Sequence, residues 1–567
     1  MPKRSRCTEN PMAQITQLKL SLLEEIPCLE SVLIFLTKKD VCSLFYCKKI
    51  FQFECFQDMC QKHQWNISQK QTIDVPNLNL NWIKSVAICF NEKNESTIME
   101  FISKLKCIEK IDTSAEMSHT IKIESLPETI TKWKCRGYNN KPYALVTLLP
   151  SKLKWFFNKV IMETRFPLLK LEPGIFPNSL TSLTFRCNQK LMNGILPESL
   201  YYLDINCTEE ILKVGFIPQS VRYLYFTSTA TMTIHNNSLP KKLIDLKMIA
   251  GNNSIFSTNF ILPETILKIR LSYTFEQGFA TLPPKLQHLT YFDSVLFFAK
   301  LKNRTFPDTL TSLEYFNQFN LPTVLPLDMA FNLKQLVSLK CYNIHPIAIE
   351  YFNCEKLISL YIRYCKQNIS LSRLQGLVTL SIGFDPNVVV SIHGLVSLTN
   401  LKKLEIVCSL RKSVNNIIVG KYPKNIIDLT LIKMQNVSYL KKLVTLKLKT
   451  NNKIEISDVS YFPKNLVNLI IDAKTIIWPQ QNNNSSIFPK SLYTLSLQCD
   501  FQRRKPFLQE SQLLTELSLS ACFLNFNLFQ LIPQTVLKLY LPFPMKEINH
   551  LDKFNNAIVV LSTKCKY

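Results

Sequence analysis

Apolar residues recur at a fixed spacing over most of the chain, from Pro127 onward. We number each unit from position 0, which is proline in its clearest copies; aliphatic residues follow at positions 3 and 6 and an apolar residue at position 8. The clearest copies begin at Pro177, Pro197, Pro218, Pro240 and Pro263, which are 20 to 23 residues apart. The length of 567 residues would allow several separate domains, but a regular repeat predicts one elongated domain instead.

The spacing inside each unit predicts a short strand. Positions 6 and 8 are two residues apart, so their side chains point to the same face, and position 3 lies in the turn that leads into the strand. One such strand cannot bury its apolar face alone, whereas strands stacked as a parallel sheet align equivalent leucines in continuous rows. We therefore predict an α/β repeat solenoid, similar to leucine-rich repeats, with the parallel β-sheet on its concave face and the return segments on its convex side.

The repeat units resemble a known family. The segment FPNSLTSLTF at residues 176–185 resembles the FNIP repeat, a relative of the leucine-rich repeat, and the resemblance covers about residues 120–545. The F-N-x-x-I/L portion of that family is mostly absent and survives in fragments such as Phe316-Asn317-Gln318. This resemblance implies a solenoid that binds another protein.

Residues 20–65 lack the repeat and favour short amphipathic helices, with Asp40 as an N-cap. The run from Phe35-Leu36 to Phe51 resembles the second half of an F-box, and Ile26-Pro27 resembles its opening Leu-Pro, although the spacing between them is shorter than usual and the Glu after the proline is missing. The resemblance implies a three-helix module that docks onto the adaptor of a cullin ubiquitin ligase. The adaptor-binding residues would then be Pro27, Val32, Leu33, Leu36, Val41 and Leu44. Alternatively, these helices only cap the open end of the solenoid, and both roles are compatible.

Five segments result from these patterns. We predict a disordered N-terminus at residues 1–19, an F-box-like helical module at 20–65, degenerate linking repeats at 66–120, the repeat solenoid at 121–545 and a C-terminal cap at 546–567.

The sequence offers no catalytic constellation, cofactor motif or metal motif. Only seven His are present, and the closest approach to a metal site, Cys42, Cys47, Cys55, Cys60 and His63, lacks the spacing of a zinc knuckle. Ten glycines do not form a phosphate-binding loop. We therefore predict a protein that is not an enzyme and that carries no cofactor.

The net charge of +25 makes nucleic acid, acidic proteins and anionic membranes electrostatically plausible partners. Its even spread disfavours a nucleic-acid groove, which remains a competing hypothesis. No apolar run is long enough to span a membrane, no signal peptide opens the chain, and the scattered cysteines suit buried free thiols. These features predict an intracellular, cytoplasmic protein that is monomeric outside its complex, and Lys3-Arg4-Ser5-Arg6 leaves the nucleus open as a location.

Positions 5, 7 and 9 flank the buried pair of each strand and are predicted to point to the concave face. Tyr and Arg at these positions are the best candidates for target binding, because these residues often dominate interface energies. The predicted target-binding residues are Tyr202, Tyr223, Tyr225, Lys268 and Arg270, and a second set of Tyr342, Tyr361 and Arg363. The resulting hypothesis is a substrate-recognition subunit of an F-box/cullin-type ubiquitin ligase; the alternative is a protein-binding scaffold without a ligase link.

Overall fold

The computed structural model describes the chain in segments between residues 65 and 562. These are residues 65–67, 85–90, 107–115, 127–137, 149–159, 173–186, 193–207, 211–228, 231–249, 254–257, 260–271, 281–292, 306–316, 333–341, 354–384, 388–408, 417–450, 453–456, 459–477, 488–501, 513–519, 532–542 and 558–562. The predicted F-box-like residues, from Pro27 to Leu44, and the cysteine cluster ending at His63 lie outside them. The chain divides into two compact units, Met1–Glu209 and Glu210–Tyr567.

The described strands of the first unit form a parallel sheet in which each strand pairs with the next along the chain. They are β1 (Trp65–Ile67), β2 (Ser85–Phe90), β3 (Lys110–Ala115), β4 (Lys132–Gly137), β5 (Trp155–Lys159), β6 (Ser182–Arg186) and β7 (Tyr202–Cys207). Equivalent residues pair across the sheet, as Leu183 does with Leu203.

In the second unit the longer strands also pair in parallel with their neighbours, and short strands of the return segments lie between them. Its described strands are β8 (Ile211–Leu212), β9 (Tyr223–Ser228), β10 (Thr233–Ile234), β11 (Asp245–Ile249), β12 (Ile255–Phe256), β13 (Lys268–Leu271), β14 (His288–Phe292), β15 (Ser312–Phe316), β16 (Ser338–Cys341), β17 (Ser359–Cys365), β18 (Ile369–Ser370), β19 (Thr379–Phe384), β20 (Val390–His393), β21 (Lys403–Cys408), β22 (Ile417–Val419), β23 (Asp428–Leu431), β24 (Thr445–Lys449), β25 (Lys453–Glu455), β26 (Asn468–Ile477), β27 (Thr494–Phe501), β28 (Glu516–Leu519), β29 (Lys538–Pro542) and β30 (Ile558–Ser562). Two short 3-10 helices, Leu395–Ser397 and Val459–Tyr461, lie between strands.

Apolar side chains at positions 3, 6 and 8 form the core, as the repeat spacing predicts. In the repeat headed by Pro240, Leu243, Leu246 and Met248 are fully buried. The row at position 6 continues through buried residues of successive repeats: Ile269, Leu289, Leu313, Leu339, Leu360, Leu380, Leu404, Leu429, Leu446, Leu469, Leu495, Leu517 and Leu539. Burial of each such side chain contributes about 2 kcal/mol before the cost of ordering the chain.

The described residues confirm the predicted parallel solenoid; they contain strands and 3-10 turns, and the α part of the predicted α/β class is not seen among them. In two places the return segments form their own parallel sheets, one from β8, β10 and β12 and one from β18, β20 and β22. The physical reason is local: the strands Thr233–Ile234 and Ile255–Phe256 place β-branched and aromatic side chains at equivalent points of successive repeats, which favours extended backbone. The described part is therefore a parallel β-solenoid.

We call the sheet that carries the leucine rows the main sheet, and a tight turn brings the chain into most of its described strands. The carbonyl oxygen at position 0 accepts a hydrogen bond from the amide at position 3, as from Leu243 to Pro240 (3.1 Å) and from Leu492 to Pro489 (3.1 Å). Proline suits position 0 because this turn uses its carbonyl and not an amide. In these repeats the head residue thus marks where the strand of the main sheet begins.

Position 2 carries a second connection between repeats, which the sequence analysis did not identify. In six repeats, a Ser or Thr hydroxyl at this position donates to the position-3 carbonyl of the preceding repeat. The pairs are Ser179 to Leu153 (2.8 Å), Ser199 to Leu180 (2.7 Å), Thr265 to Leu243 (2.7 Å), Thr309 to Leu286 (2.8 Å), Ser491 to Leu466 (2.7 Å) and Thr535 to Leu514 (2.8 Å). In these repeats the motif P-x-S/T followed by an aliphatic residue therefore links successive turns through side chains as well as backbone.

We predict that Thr265→Val lowers the free energy of unfolding by about 1 kcal/mol, because it removes a hydroxyl donor and leaves the Leu243 carbonyl without that partner. Urea unfolding followed by intrinsic fluorescence measures the change. Thr515→Val is the matched control, since the Thr515 hydroxyl is buried and makes no hydrogen bond among the described residues. The control should leave stability unchanged or raise it; equal losses in the two variants would refute the role of the hydroxyl.

A β-bulge interrupts the register between β17 and β19. Ile362 pairs with Ile382 and Cys365 pairs with Phe384, so two residues of β17 oppose the single residue Gly383. A Cβ atom on Gly383 would overlap the backbone carbonyl of Arg363. The close approach of the two backbones at this point requires glycine.

Gly383→Ala should therefore lower the free energy of unfolding by about 2 kcal/mol or more, because two backbone segments must separate to admit the methyl group. Gly420→Ala provides the comparison, since nothing lies within 4 Å of a Cβ built there, and it should be neutral or slightly stabilising. Thermal unfolding of both variants tests this. A Gly383→Ala protein as stable as the parent would contradict the bulge geometry.

Candidate functional site

The main sheet of the second unit has one face free of the leucine rows, and we call it the open face. Along β9, buried Leu224 and Phe226 alternate with the partly exposed residues Tyr223, Tyr225 and Thr227. Positions 5, 7 and 9 therefore lie on the open face in this strand, as the period-two pattern predicts.

A cluster of polar side chains spans β9, β11 and β13 on this face, and we call Tyr225, Asp245, Lys247 and Arg270 the open-face cluster. The Arg270 Nη2 atom donates to both carboxylate oxygens of Asp245, at 3.2 and 3.0 Å. The Tyr225 hydroxyl donates to Asp245 Oδ2 at 3.2 Å. One carboxylate thus connects side chains from both neighbouring strands.

Sheet register explains how these residues meet. Tyr225, Lys247 and Arg270 all occupy position 7 and are aligned across three adjacent strands. The Tyr225 ring has the Arg270 guanidinium carbon 4.7 Å from its centroid and Lys247 Nζ 5.9 Å from it. Both cations lie within the range in which the ring quadrupole attracts positive charge.

The cluster combines burial with net positive charge. Asp245 is only 7% exposed, and the Arg270 side chain keeps 28% of its surface in contact with solvent. Burial, together with the charge of Asp245, raises the pKa of Tyr225, so its hydroxyl stays protonated and donates at neutral pH. On the adjoining strand, burial and the charge of Lys268 lower the pKa of His288, which favours its neutral form.

The sequence-predicted target-binding residues are distributed as follows. Tyr225 and Arg270 come together in the open-face cluster, and Tyr223 and Lys268 pair in register with Asp245 on either side. The remaining members occur elsewhere: Tyr202 is partly exposed on β7 of the first unit, Tyr361 is partly exposed and Arg363 exposed on β17, and Tyr342 lies outside the described residues. Their role in binding a target remains a prediction.

Asp245 and Lys247 are the two members of the open-face cluster that were not among the predicted target-binding residues, and Asp245 is the one that makes the hydrogen bonds. It occupies position 5, between a tyrosine and an arginine at position 7 of the two neighbouring repeats. The same arrangement of an acid at position 5 and a cation at position 7 of the next repeat recurs in Asp428 and Lys447, whose charged atoms are 3.3 Å apart. Its repeat position alone predicts that Asp245 points to the concave face, but the preference for Tyr and Arg did not select it.

Three of the described thiols are part of the core and not reactive groups, whereas the thiol of Cys107 is exposed. Cys341, Cys354 and Cys365 are free and buried. Burial raises the pKa of Cys354 to about 12 and that of Cys365 to about 11, which leaves almost no thiolate at neutral pH. Among the described residues, no group of three or more His, Cys, Asp or Glu is placed to hold a metal ion.

Helices long and apolar enough to cross a membrane were not found in the described segments.

Comparison with known proteins gives one family and several solved structures. The FNIP Repeat family matches residues 169–208. The chain is similar to YopM from Yersinia enterocolitica, with 15% sequence identity, coverage of 76% of this chain and 87% of that chain, and a TM-score of 0.34. It is similar to an internalin from Listeria monocytogenes, with 16% identity, coverage of 60% of this chain and 87% of that chain, and a TM-score of 0.32. It is also similar to TLR13 in its complex with ssRNA13, with 14% identity, coverage of 85% of this chain and 69% of that chain, and a TM-score of 0.41. No curated protein matches the chain significantly.

We predict that Asp245→Ala lowers the free energy of unfolding by about 2–3 kcal/mol, because it leaves the partly buried Arg270 without its counter-charge. Glu516→Ala is the matched control at the same repeat position, where the ion pair with Lys538 is more exposed and should contribute much less. Denaturant unfolding of both variants gives the comparison. Equal losses would mean that the Asp245 pair has no special structural role.

Proposed function

We propose that this chain is a non-enzymatic receptor that binds a protein target through the open face of its solenoid. The observation that carries the proposal is the open-face cluster, in which Asp245 holds Tyr225 and Arg270 in fixed positions beside Lys247. Side chains that are already ordered lose less entropy on binding, and Tyr and Arg often contribute most of an interface's energy. The excess of cations in the cluster favours an acidic patch on the target.

We further propose that the N-terminal module recruits a cullin-type ubiquitin ligase. The support is the F-box resemblance of residues 20–65, with Pro27, Val32, Leu33, Leu36, Val41 and Leu44 as adaptor-binding residues. In this mechanism the chain performs no chemistry. It holds the target close to partner enzymes that transfer ubiquitin, so the gain in rate comes from proximity.

Leu36→Asp should abolish co-purification of the cullin adaptor with the tagged full-length chain, because a carboxylate is costly to bury in an apolar interface. Val396→Asp is the matched control, since Val396 is exposed in the solenoid and its replacement should leave adaptor recovery unchanged. Quantitative mass spectrometry of the purified complexes measures the adaptor. A folded parent protein that recovers no adaptor would reject the ligase role and leave the scaffold alternative.

The open face is tested separately with Lys247→Glu, which reverses one charge of the cluster and keeps the Asp245–Arg270 pair. We expect this variant to lose binding of the target protein and to keep full binding of the adaptor. Binding of nucleic acid instead of protein, with an affinity that falls steeply as salt rises, would replace this proposal with the nucleic-acid hypothesis.

A further inference from the structure

A second surface lies away from the open-face cluster, at the turns and strand entries of four consecutive repeats in the second unit. It consists of two aligned rows, and we call it the basic–apolar ridge. Its apolar row at position 4 is Ile427, Val444, Val467 and Tyr493, and its basic row at position 1 is Lys424, Lys441, Lys464 and Lys490.

Backbone hydrogen bonds make the apolar row continuous. The amide of Val444 donates to the carbonyl of Ile427 (2.9 Å), that of Val467 to Val444 (2.9 Å) and that of Tyr493 to Val467 (2.8 Å). These contacts place one apolar residue beside the next with no polar residue between them.

The apolar row is open to solvent. Ile427 is 40% exposed, Val444 37% and Tyr493 48%, and Val467 is partly exposed. Isolated apolar residues on a surface are ordinary, but an aligned row bordered by charge is typical of a binding site.

The basic row runs beside it in the turns. The Lys441 carbonyl accepts a hydrogen bond from Asn465 Nδ2 (3.2 Å), and the Lys464 carbonyl accepts one from Ser491 Oγ (2.7 Å), so neighbouring turns are held in step. All four lysines are exposed, and none forms an ion pair with another described residue.

Among the described residues, lysines at position 1 of consecutive repeats occur only here, whereas Lys241 and Lys334 occupy that position singly. Position 1 holds Thr399 in the repeat before the ridge and Gln534 in the repeat headed by Pro533. The ridge is thus a local concentration of positive charge and not a general property of the fold. Its charge favours binding of an anionic partner.

We propose that the basic–apolar ridge binds an acidic amphipathic helix of a partner protein. Parallel strands are spaced by about 4.8 Å and a helix rises by about 5.4 Å per turn, so a helix lying along the ridge presents about one residue per turn to each repeat. Its apolar stripe would cover position 4 while its Asp and Glu side chains face the lysines. The four repeats span about 15 Å, which corresponds to about ten helical residues.

The composition of the apolar row favours a protein partner over a nucleic acid. Binding of single strands relies on stacking of bases on aromatic rings, and Tyr493 is the only aromatic residue among the four positions of this row. Aliphatic residues at the other three positions match the Leu and Ile stripe of an amphipathic helix. The inference goes beyond the proposed function, because the ridge can be occupied whether or not the adaptor or the open-face target binds.

The test uses the full-length chain and a fluorescent 14-residue peptide with Leu at helical spacing and Glu on both flanks. Fluorescence anisotropy should detect binding, and Lys464→Glu/Lys490→Glu should weaken it by about tenfold or more, since two attractive charges become repulsive. The control Lys453→Glu/Lys474→Glu has the same change in net charge at exposed lysines outside the ridge and should change affinity by less than about twofold.

The apolar row is tested with Val444→Thr/Tyr493→Ser, against Val389→Thr/Val396→Thr as exposed apolar positions elsewhere. Only the ridge variant should lose affinity. The proposal is overturned if the folded parent does not bind the peptide or if ridge and control variants behave alike. It is also overturned if a single-stranded RNA or phosphatidylserine vesicles bind more tightly than the peptide and ignore the apolar substitutions.

Discussion

The need to bury aliphatic rows that no single repeat can cover is the constraint on which this structure depends. Leu246 is buried because Leu224 and Ile269 lie on either side of it on the neighbouring strands. The same stacking buries the equivalent residue of the other repeats in the second unit. Because stacking and not local propensity supplies this burial, the fold can extend by repetition. The turn at position 0 and the hydroxyl at position 2 then fix the register in which the rows meet.

The same register creates the functional surfaces. Residues far apart in the chain become neighbours whenever they share a repeat position, so Tyr225, Lys247 and Arg270 align without any dedicated loop. Asp245 lies at position 5, two residues before that row, and accepts hydrogen bonds from Tyr225 and Arg270. The basic–apolar ridge arises in the same way at positions 1 and 4. A solenoid of this kind can carry separate binding surfaces on different rows without altering its core.

The sequence predicts those features that repeat and misses those that depend on a single place. Positions 6 and 8 identify the strands and the buried rows because period two has one physical meaning in a half-buried strand. The return strands around Ile234 are too short to leave a periodic signal. Nothing local marks the bulge opposite Gly383, since it depends on how two backbones approach each other. Asp245 was not selected for a different reason: its importance lies in its neighbours on adjacent strands.

Cross-strand disulfide formation tests the stacked register most directly. Lys447 and Ile470 face each other on β24 and β26, and parallel neighbours about 4.8 Å apart fall within the Cα separation that a disulfide allows. Oxidised Lys447→Cys/Ile470→Cys protein should yield the linked peptides by mass spectrometry, whereas Lys447→Cys/Asp472→Cys, displaced by two residues, should link far more slowly. Efficient linking of the displaced pair, or none of the aligned pair, would contradict the stacked rows on which the whole account rests.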